Sequence, residues 1–268
     1  MRSVTQHPVL GDELTATQLS RLGVRRGGVL LVHASMRSAG GDAGSMKDSL
    51  RVALGPEGTL VVPSFTPENS DTSRSYLERV SGLAESARAV VRAAMPPFDP
   101  ALTPAPSMGV LAETVRLSPA SSRSGHPQTS FTALGPAAGK LLSGHRPDCH
   151  LGEESPLARL YEADAQVLLL GTGFAGCTAF HLAEYRRPTR PRRLYRCVVA
   201  RESGRHWWEY EDIALDDGDF PALGADFVRR RACEVSVGRV RSARSHLFGI
   251  RAAVDFATTW LEEHRRGR

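Results

Sequence analysis

The strongest constraint on this chain is the way short apolar β-type runs alternate with stretches of helical spacing. Val29–His33, Thr59–Pro63 and Val167–Leu170 are nearly continuous apolar runs of strand length. That pattern belongs to strands buried on both faces of a sheet covered by helices. Around them, Thr15–Leu22, Met46–Leu54, Ser75–Ala94, Met108–Arg116, Gly135–Leu142, Pro156–Tyr161, Thr178–Tyr185, Phe220–Arg230 and Ile250–His264 carry helical spacing. Cys233–Val237 reads as a further strand, and Leu194–Ala200 with His206–Asp212 flank Glu202-Ser203-Gly204 as a hairpin. The proline-rich stretch Phe98–Ser107 and the segment Ser118–Thr129 read as ordered loops. The reading is a single α/β domain over residues 1–268, because no linker or internal repeat divides it.

Composition removes several alternatives. No apolar run approaches the roughly 18–20 residues that span a bilayer, and Met1–Leu10 lacks the basic start and apolar stretch of a signal peptide. A cytoplasmic protein is therefore expected. Cys149, Cys177, Cys197 and Cys233 are widely spaced with no Cys-x-x-Cys, so neither a disulfide framework nor a metal site is expected. The net charge is +5, and Lys47 and Lys140 are the only lysines among 34 basic residues. Arginine suits bidentate contact with phosphates, which favours a phosphorylated ligand. Nucleic acid is not the expected partner, since the arginines are dispersed except for Arg186–Arg193 and Arg265–Arg268 and no nucleic-acid-binding motif is visible. The run at Arg265–Arg268 reads as a solvated end.

Several motifs could carry chemistry. Gly171-Thr172-Gly173-Phe174-Ala175-Gly176 is a literal G-x-G-x-x-G between a strand and a helix, which suits a dinucleotide or simply close packing. Arg79–Ala84 fits an R-x-x-G-x-A pyrophosphate pattern but has no strand before it, so it reads as a chance match. In Thr178–Glu184, His181 and Glu184 are three residues apart on one helix, the spacing of a general base oriented by a carboxylate. Cys177 near the same helix start offers either an acyl-cysteine nucleophile or a small buried thiol. His33–Ser38, Pro106–Gly109 and Arg123–Pro127 place hydroxyls, small residues and basic groups at element ends, as phosphate-binding loops do. Trp207–Asp212 sets aromatics beside carboxylates, which suits either a cationic ligand or a half-buried strand.

Taken in order, Leu31–Gly40, Gly58–Phe65, Phe98–Glu113, Arg123–Ala133, Gly152–Tyr161, Val167–Gly171, Thr178–Tyr185 and Trp208–Ile213 resemble the aminoglycoside 3-N-acetyltransferases of the antibiotic acetyltransferase type, distinct from the GNAT fold. The resemblance spans about nine-tenths of the chain. It implies an α/β fold with a mixed central sheet flanked by helices and a C-terminal β-hairpin region. It also implies transfer of acetyl from acetyl-CoA to the 3-amino group of a 2-deoxystreptamine antibiotic. By that resemblance His181 is the catalytic base and Glu184 its orienting carboxylate. His33, Ser35, Met36, Arg37, Ser107, Met108, Gly109, Arg123, Ser124, His126 and Thr178 would contact the cofactor, and Asp71, Glu211 and Asp212 would receive the antibiotic. Gly173–Cys177 departs from the polar residues usual there. An amine other than an aminoglycoside, or an NAD(P)-dependent oxidoreductase using Gly171–Gly176, remains the alternative, and a homodimer is left open.

Overall fold

The computed structural model describes residues 10–266. Residues 1–9, where no signal peptide is expected, and the last two residues of the arginine-rich end lie outside them. The elements run α1 (Leu10–Leu22), β1 (Val29–Ala34), α2 (Met36–Ala39), α3 (Ala43–Leu54), β2 (Thr59–Pro63), α4 (Arg74–Arg79), α5 (Glu85–Ala93) and α6 (Val110–Arg116). They continue as β3 (Ser122–Arg123), β4 (Phe131–Leu134), α7 (Ala138–Leu142), α8 (Pro156–Glu162), β5 (Gln166–Leu170) and α9 (Ala179–Arg186). The chain closes with β6 (Arg192–Arg201), β7 (Gly204–Ile213), α10 (Phe220–Arg230), β8 (Val235–Val240), β9 (Ala243–Gly249) and α11 (Ile250–His264).

Seven strands form one mixed sheet in the order β3-β4-β2-β1-β5-β9-β8. Its centre, β2-β1-β5, is parallel, and antiparallel strands extend it on both sides. Successive strand side chains point to opposite faces. Leu31, Val61, Val167 and Leu169 therefore enter one core with residues of α8, α9, α10 and α11. Leu30, Val32, Leu60, Val62, Leu168 and Leu170 enter the other, with residues of α1, α3 and α6. Each of these wholly buried aliphatic side chains contributes roughly 1.5–3 kcal/mol, which is why the three central strands tolerate no polar face.

β6 and β7 form a separate two-stranded sheet, paired from Arg192↔Ile213 to Arg201↔Gly204, with Glu202 and Ser203 as the connecting turn. The hairpin is latched to the body by Ser70, whose Oγ donates to the Arg196 carbonyl at 2.7 Å. It also changes the meaning of the glycine-rich turn. A dinucleotide fold needs β5, its helix and a following parallel neighbour strand, but the strand after α9 leaves the main sheet altogether. Gly171 is there for packing. Its φ is +66°, and a Cβ would stand 2.7 Å from that of Ser38.

Three readings of the sequence change. The helical stretch Ser75–Ala94 is two helices, because Gly82 (φ +79°) turns the chain between them; that glycine is the one that made the R-x-x-G-x-A match. The strand expected at Cys233–Val237 begins at Val235, after a 3-10 turn over Ala232–Glu234. Strands β4 and β9 were not anticipated, nor was the short β3, which falls in the segment Ser118–Thr129 read as a loop. Cys149, Cys177 and Cys197 are buried free thiols, and Cys233 is exposed. No helix among the described residues is long and apolar enough to cross a membrane.

Candidate active site

Parallel strands β1, β2 and β5 end at the same edge of the sheet, where open α/β sheets place ligands. A cavity of about 320 Å³ opens there, lined by His33 and Ala34 from β1, Pro63 at the end of β2 and Phe65 just beyond it, Thr172, Ala175, Gly176 and Thr178 after β5, and His181 from α9. Ser107 and Met108 close one side and Asp217 another.

Thr178 sits at the start of α9 without capping it. Its Oγ1 instead lies 3.2 Å from His33 Nε2. His33 is buried, and burial, reinforced by the nearby His181, lowers its pKa to about 4. The ring is thus neutral at neutral pH and able to hold or orient a hydroxyl.

One turn further on, His181 Nδ1 is 2.6 Å from Glu184 Oε2. The helical i,i+3 spacing brings the two together while Phe180, Leu182 and Ala183 point into the core. Glu184 is buried, and its other oxygen accepts from Arg265 Nη1 at 2.5 Å and from the Asp216 backbone N–H at 3.1 Å. Arg265 is itself buried, bonded to both carboxylate oxygens of Asp219 and to the Asp216 carbonyl at 2.6 Å. Burial alone would lower its pKa, but the hydrogen bonds to Asp219 and Glu184 outweigh that and hold it above the usual arginine range. The Phe220 ring lies 4.8 Å from the His181 ring and fixes its tilt. An Arg265–Glu184–His181 chain therefore presents an oriented imidazole at the cavity, with Nδ1 committed to the carboxylate.

Arg265 contradicts the reading of the C-terminal arginines as a solvated end. No local pattern signals it, since it meets Glu184 across 81 residues of chain. Asp217 was missed for the same kind of reason: it lies in a loop and reaches the cavity only through the fold.

Cys177 is wholly buried and its thiol is pushed up to about 12 by burial. A thiolate there is disfavoured, which removes the basis for an acyl-cysteine.

Of the residues expected to contact the cofactor, His33, Ser107, Met108 and Thr178 line the cavity with His181. Ser35 caps α2, Met36 packs against the adjoining core, Arg37 is exposed, and Gly109 (φ +86°) turns the chain into α6. Arg123 is turned onto the protein: its Nε, Nη1 and Nη2 donate to the Ser130 hydroxyl and to the carbonyls of Thr103 and Ser64. Ser124 and His126 are buried in a histidine cluster. Ser124 Oγ is 3.0 Å from His145 Nδ1, and His126 Nδ1 accepts from the backbone N–H groups of Gln128 and Thr129.

The acidic residues divide by strand alternation. Tyr210 and Asp212 face inward on β7, and Asp212 accepts hydrogen bonds from the His150 backbone and ring and from the Tyr185 hydroxyl. It is buried, and its Oδ1 accepts from the Ile213 backbone N–H at 2.7 Å, so both of its oxygens are engaged by the protein. Glu211 faces outward, largely exposed, with Arg192 at 3.9 Å. Asp71 is held by the Arg196 guanidinium.

Residues 31–262 match the family model described as aminoglycoside 3-N-acetyltransferase. The chain is 36% identical over 253 residues to the SPbeta prophage-derived aminoglycoside N(3')-acetyltransferase-like protein YokD of Bacillus subtilis, covering 91% of this chain and 89% of that protein. The YokD crystal structure superposes with a TM-score of 0.87, covering 96% of this chain and 95% of that one. AAC-IIIb in binary complex with CoASH gives 0.79 at 28% identity, with 93% and 95% covered. A mutant of the aminoglycoside acetyltransferase AAC(3)-IVa in complex with a gentamicin gives 0.78 at 31% identity, with 98% and 92% covered. With its mixed sheet, separate hairpin and cavity at the parallel strand ends, the chain belongs to the aminoglycoside 3-N-acetyltransferase family of acyltransferases.

Proposed function

We propose that this enzyme transfers acetyl from acetyl-CoA to the 3-amino group of a 2-deoxystreptamine aminoglycoside by direct attack, with His181 as general base. The observation that carries this reading is the Arg265–Glu184–His181 chain ending at a cavity on the sheet edge. A protonated amine is not a nucleophile, so the acceptor must lose a proton, and a histidine so placed contributes roughly 10²–10⁴ in rate. With Nδ1 hydrogen-bonded to Glu184, Nε2 takes the proton, and the buried carboxylate stabilises the imidazolium that forms. The amine nitrogen bonds to the thioester carbon as the carbonyl π electrons move to oxygen. Collapse of that oxyanion breaks the C–S bond, and the proton on His181 passes to the departing thiolate.

The Thr178 hydroxyl is the proposed donor to the oxyanion. If His33, neutral, gives its Nε2–H to Thr178 Oγ1, the threonine proton is free to point at the substrate oxygen. Ser107 and Met108 are the proposed wall for the pantetheine arm, and the buried thiol of Cys177 takes no part. Asp217 inside the cavity and Glu211 on the outer face of β7 are the proposed carboxylates for the acceptor's other ammonium groups.

The test is incubation with acetyl-CoA and a panel of aminoglycosides, with mass detection and location of the acetyl group by NMR. Acetylation at N3 is expected. Acetylation at another nitrogen, or of non-aminoglycoside amines only, would replace the acceptor assignment, and stabilisation by NADP but not CoA would remove the acyl-transfer reading.

A further inference from the structure

The carboxylates considered for the acceptor are not free; arginines of the same chain hold them. Asp217 lines the cavity and pairs with Arg74 at 3.1 Å. Glu211 stands 3.9 Å from Arg192. The strongest of these pairs is Asp71 with Arg196. Both carboxylate oxygens of Asp71 accept from the guanidinium, Nε at 3.0 Å and Nη2 closer. The remaining Nη1 reaches Glu209 Oε1 at 3.4 Å, and the guanidinium lies 4.8 Å over the Trp207 ring.

Exposure separates this pair from the others. The Asp71 side chain is 5% exposed and that of Arg196 35%. Arg74, Asp217, Arg192 and Glu211 are all more than 40% exposed and are screened by water. Arg196 thus sits on the solvent side of a buried carboxylate. The segment carrying Asp71 also borders the site. Pro63 and Phe65 before it line the cavity, Glu68 accepts from the cavity residue Ser107, and Arg74 after it holds the cavity residue Asp217.

We propose that Arg196 determines acceptor selectivity. It is an internal cation occupying Asp71 and Glu209, which a polycationic acceptor must displace, so the chain favours acceptors with few ammonium groups. This rests on the acyl-transfer reading above but concerns binding, which can be measured without turnover.

The experiment is calorimetric titration of the CoA-loaded protein with gentamicin and with 2-deoxystreptamine, in the parent, Arg196→Gln and Asp71→Asn. Arg196→Gln frees two carboxylates and should tighten gentamicin roughly five- to tenfold, with a steeper loss of affinity as salt rises. Its effect on 2-deoxystreptamine should stay within about twofold. Asp71→Asn leaves Arg196 paired only with the more exposed Glu209 and should weaken gentamicin. Opposite signs from the two partners cannot come from general damage to the fold, and Arg196→Lys, which keeps the charge but loses the bidentate fork, should fall between parent and Gln. Equal tightening of both ligands, changes of the same sign in the Gln and Asn variants, or no gentamicin binding in any form would overturn the proposal. If the binding pattern holds but no form acetylates either amine, the selectivity assignment stands and the acyl-transfer reading falls.

Discussion

Arg265→Met removes the cation that holds Glu184 and leaves that carboxylate, 4% exposed as a side chain, without its counter-charge. Breaking a buried ion pair by deleting one partner costs about 3–5 kcal/mol. The lower end applies here, because Glu184 keeps the Asp216 N–H and His181. Unfolding entropy of about 2.1 cal/mol/K per residue gives roughly 0.55 kcal/mol/K for a chain of this length. A loss of about 3 kcal/mol should therefore lower Tm by roughly 5–6 °C. The chemistry should suffer as well, since a carboxylate free to turn away no longer fixes the imidazole. A fall in kcat of roughly 10–100-fold is expected, with KM for acetyl-CoA changed by less than about twofold. Arg265→Lys keeps the charge without the planar fork and should recover part of both losses. Differential scanning calorimetry and steady-state kinetics on the three proteins decide it. A Met variant that melts within about 1 °C of the parent and turns over at an unchanged rate would refute the coupling of Arg265 to His181.

Cys177→Ala should leave kcat within about twofold of the parent, and no acetylated cysteine should accumulate with acetyl-CoA alone, because burial pushes that thiol up to about 12; intact-protein mass spectrometry checks it. Gly171→Ala should destabilise by roughly 2 kcal/mol or more, read by urea unfolding, since φ is +66° and the new Cβ meets Ser38 and Ala243. Stability should also fall steeply on mild acidification. His33 and His145 are both lowered to about 4 by burial, and His126 and His150 are lowered as well. Between the ordinary histidine pKa of about 6.5 and about 4 the unfolded chain binds more protons than the folded one, so stability present above that range is lost as pH falls through it. His33 and His145 alone give a slope approaching about 2.7 kcal/mol per pH unit. A Tm that stays flat from pH 7 to pH 5 would contradict their burial as neutral rings.

The parts of the fold legible in the sequence are those where one periodicity dominates. The continuous apolar runs of β1, β2 and β5 have cores on both faces, and the two-residue turn of the hairpin is flanked by long β-type stretches. β9 escaped notice because its buried residues before Leu247 and Phe248 are Ala243 and Ser245, too small and polar to stand out, with Arg244 and His246 between them. The apparent long helix at Ser75–Ala94 hid its break because one glycine within helical spacing is ordinarily tolerated. At the site, His181 and Glu184 were legible because they are local to one helix. What holds Glu184 was not, because Arg265, Asp216 and Asp219 reach it only through tertiary packing. The different surroundings of Glu211 and Asp212 were not legible, because they follow from strand alternation in β7: Glu211 faces solvent while Asp212 faces the buried His150 and the half-buried Tyr185.

The most direct test of the central claim is single-turnover acetyl transfer by His181→Ala, with acetyl-CoA affinity measured on the same preparation. The expected result is a rate lowered by roughly 10²–10⁴ with acetyl-CoA affinity within about twofold of the parent. A rate within a few-fold of the parent at saturating substrates would show that another group removes the amine proton.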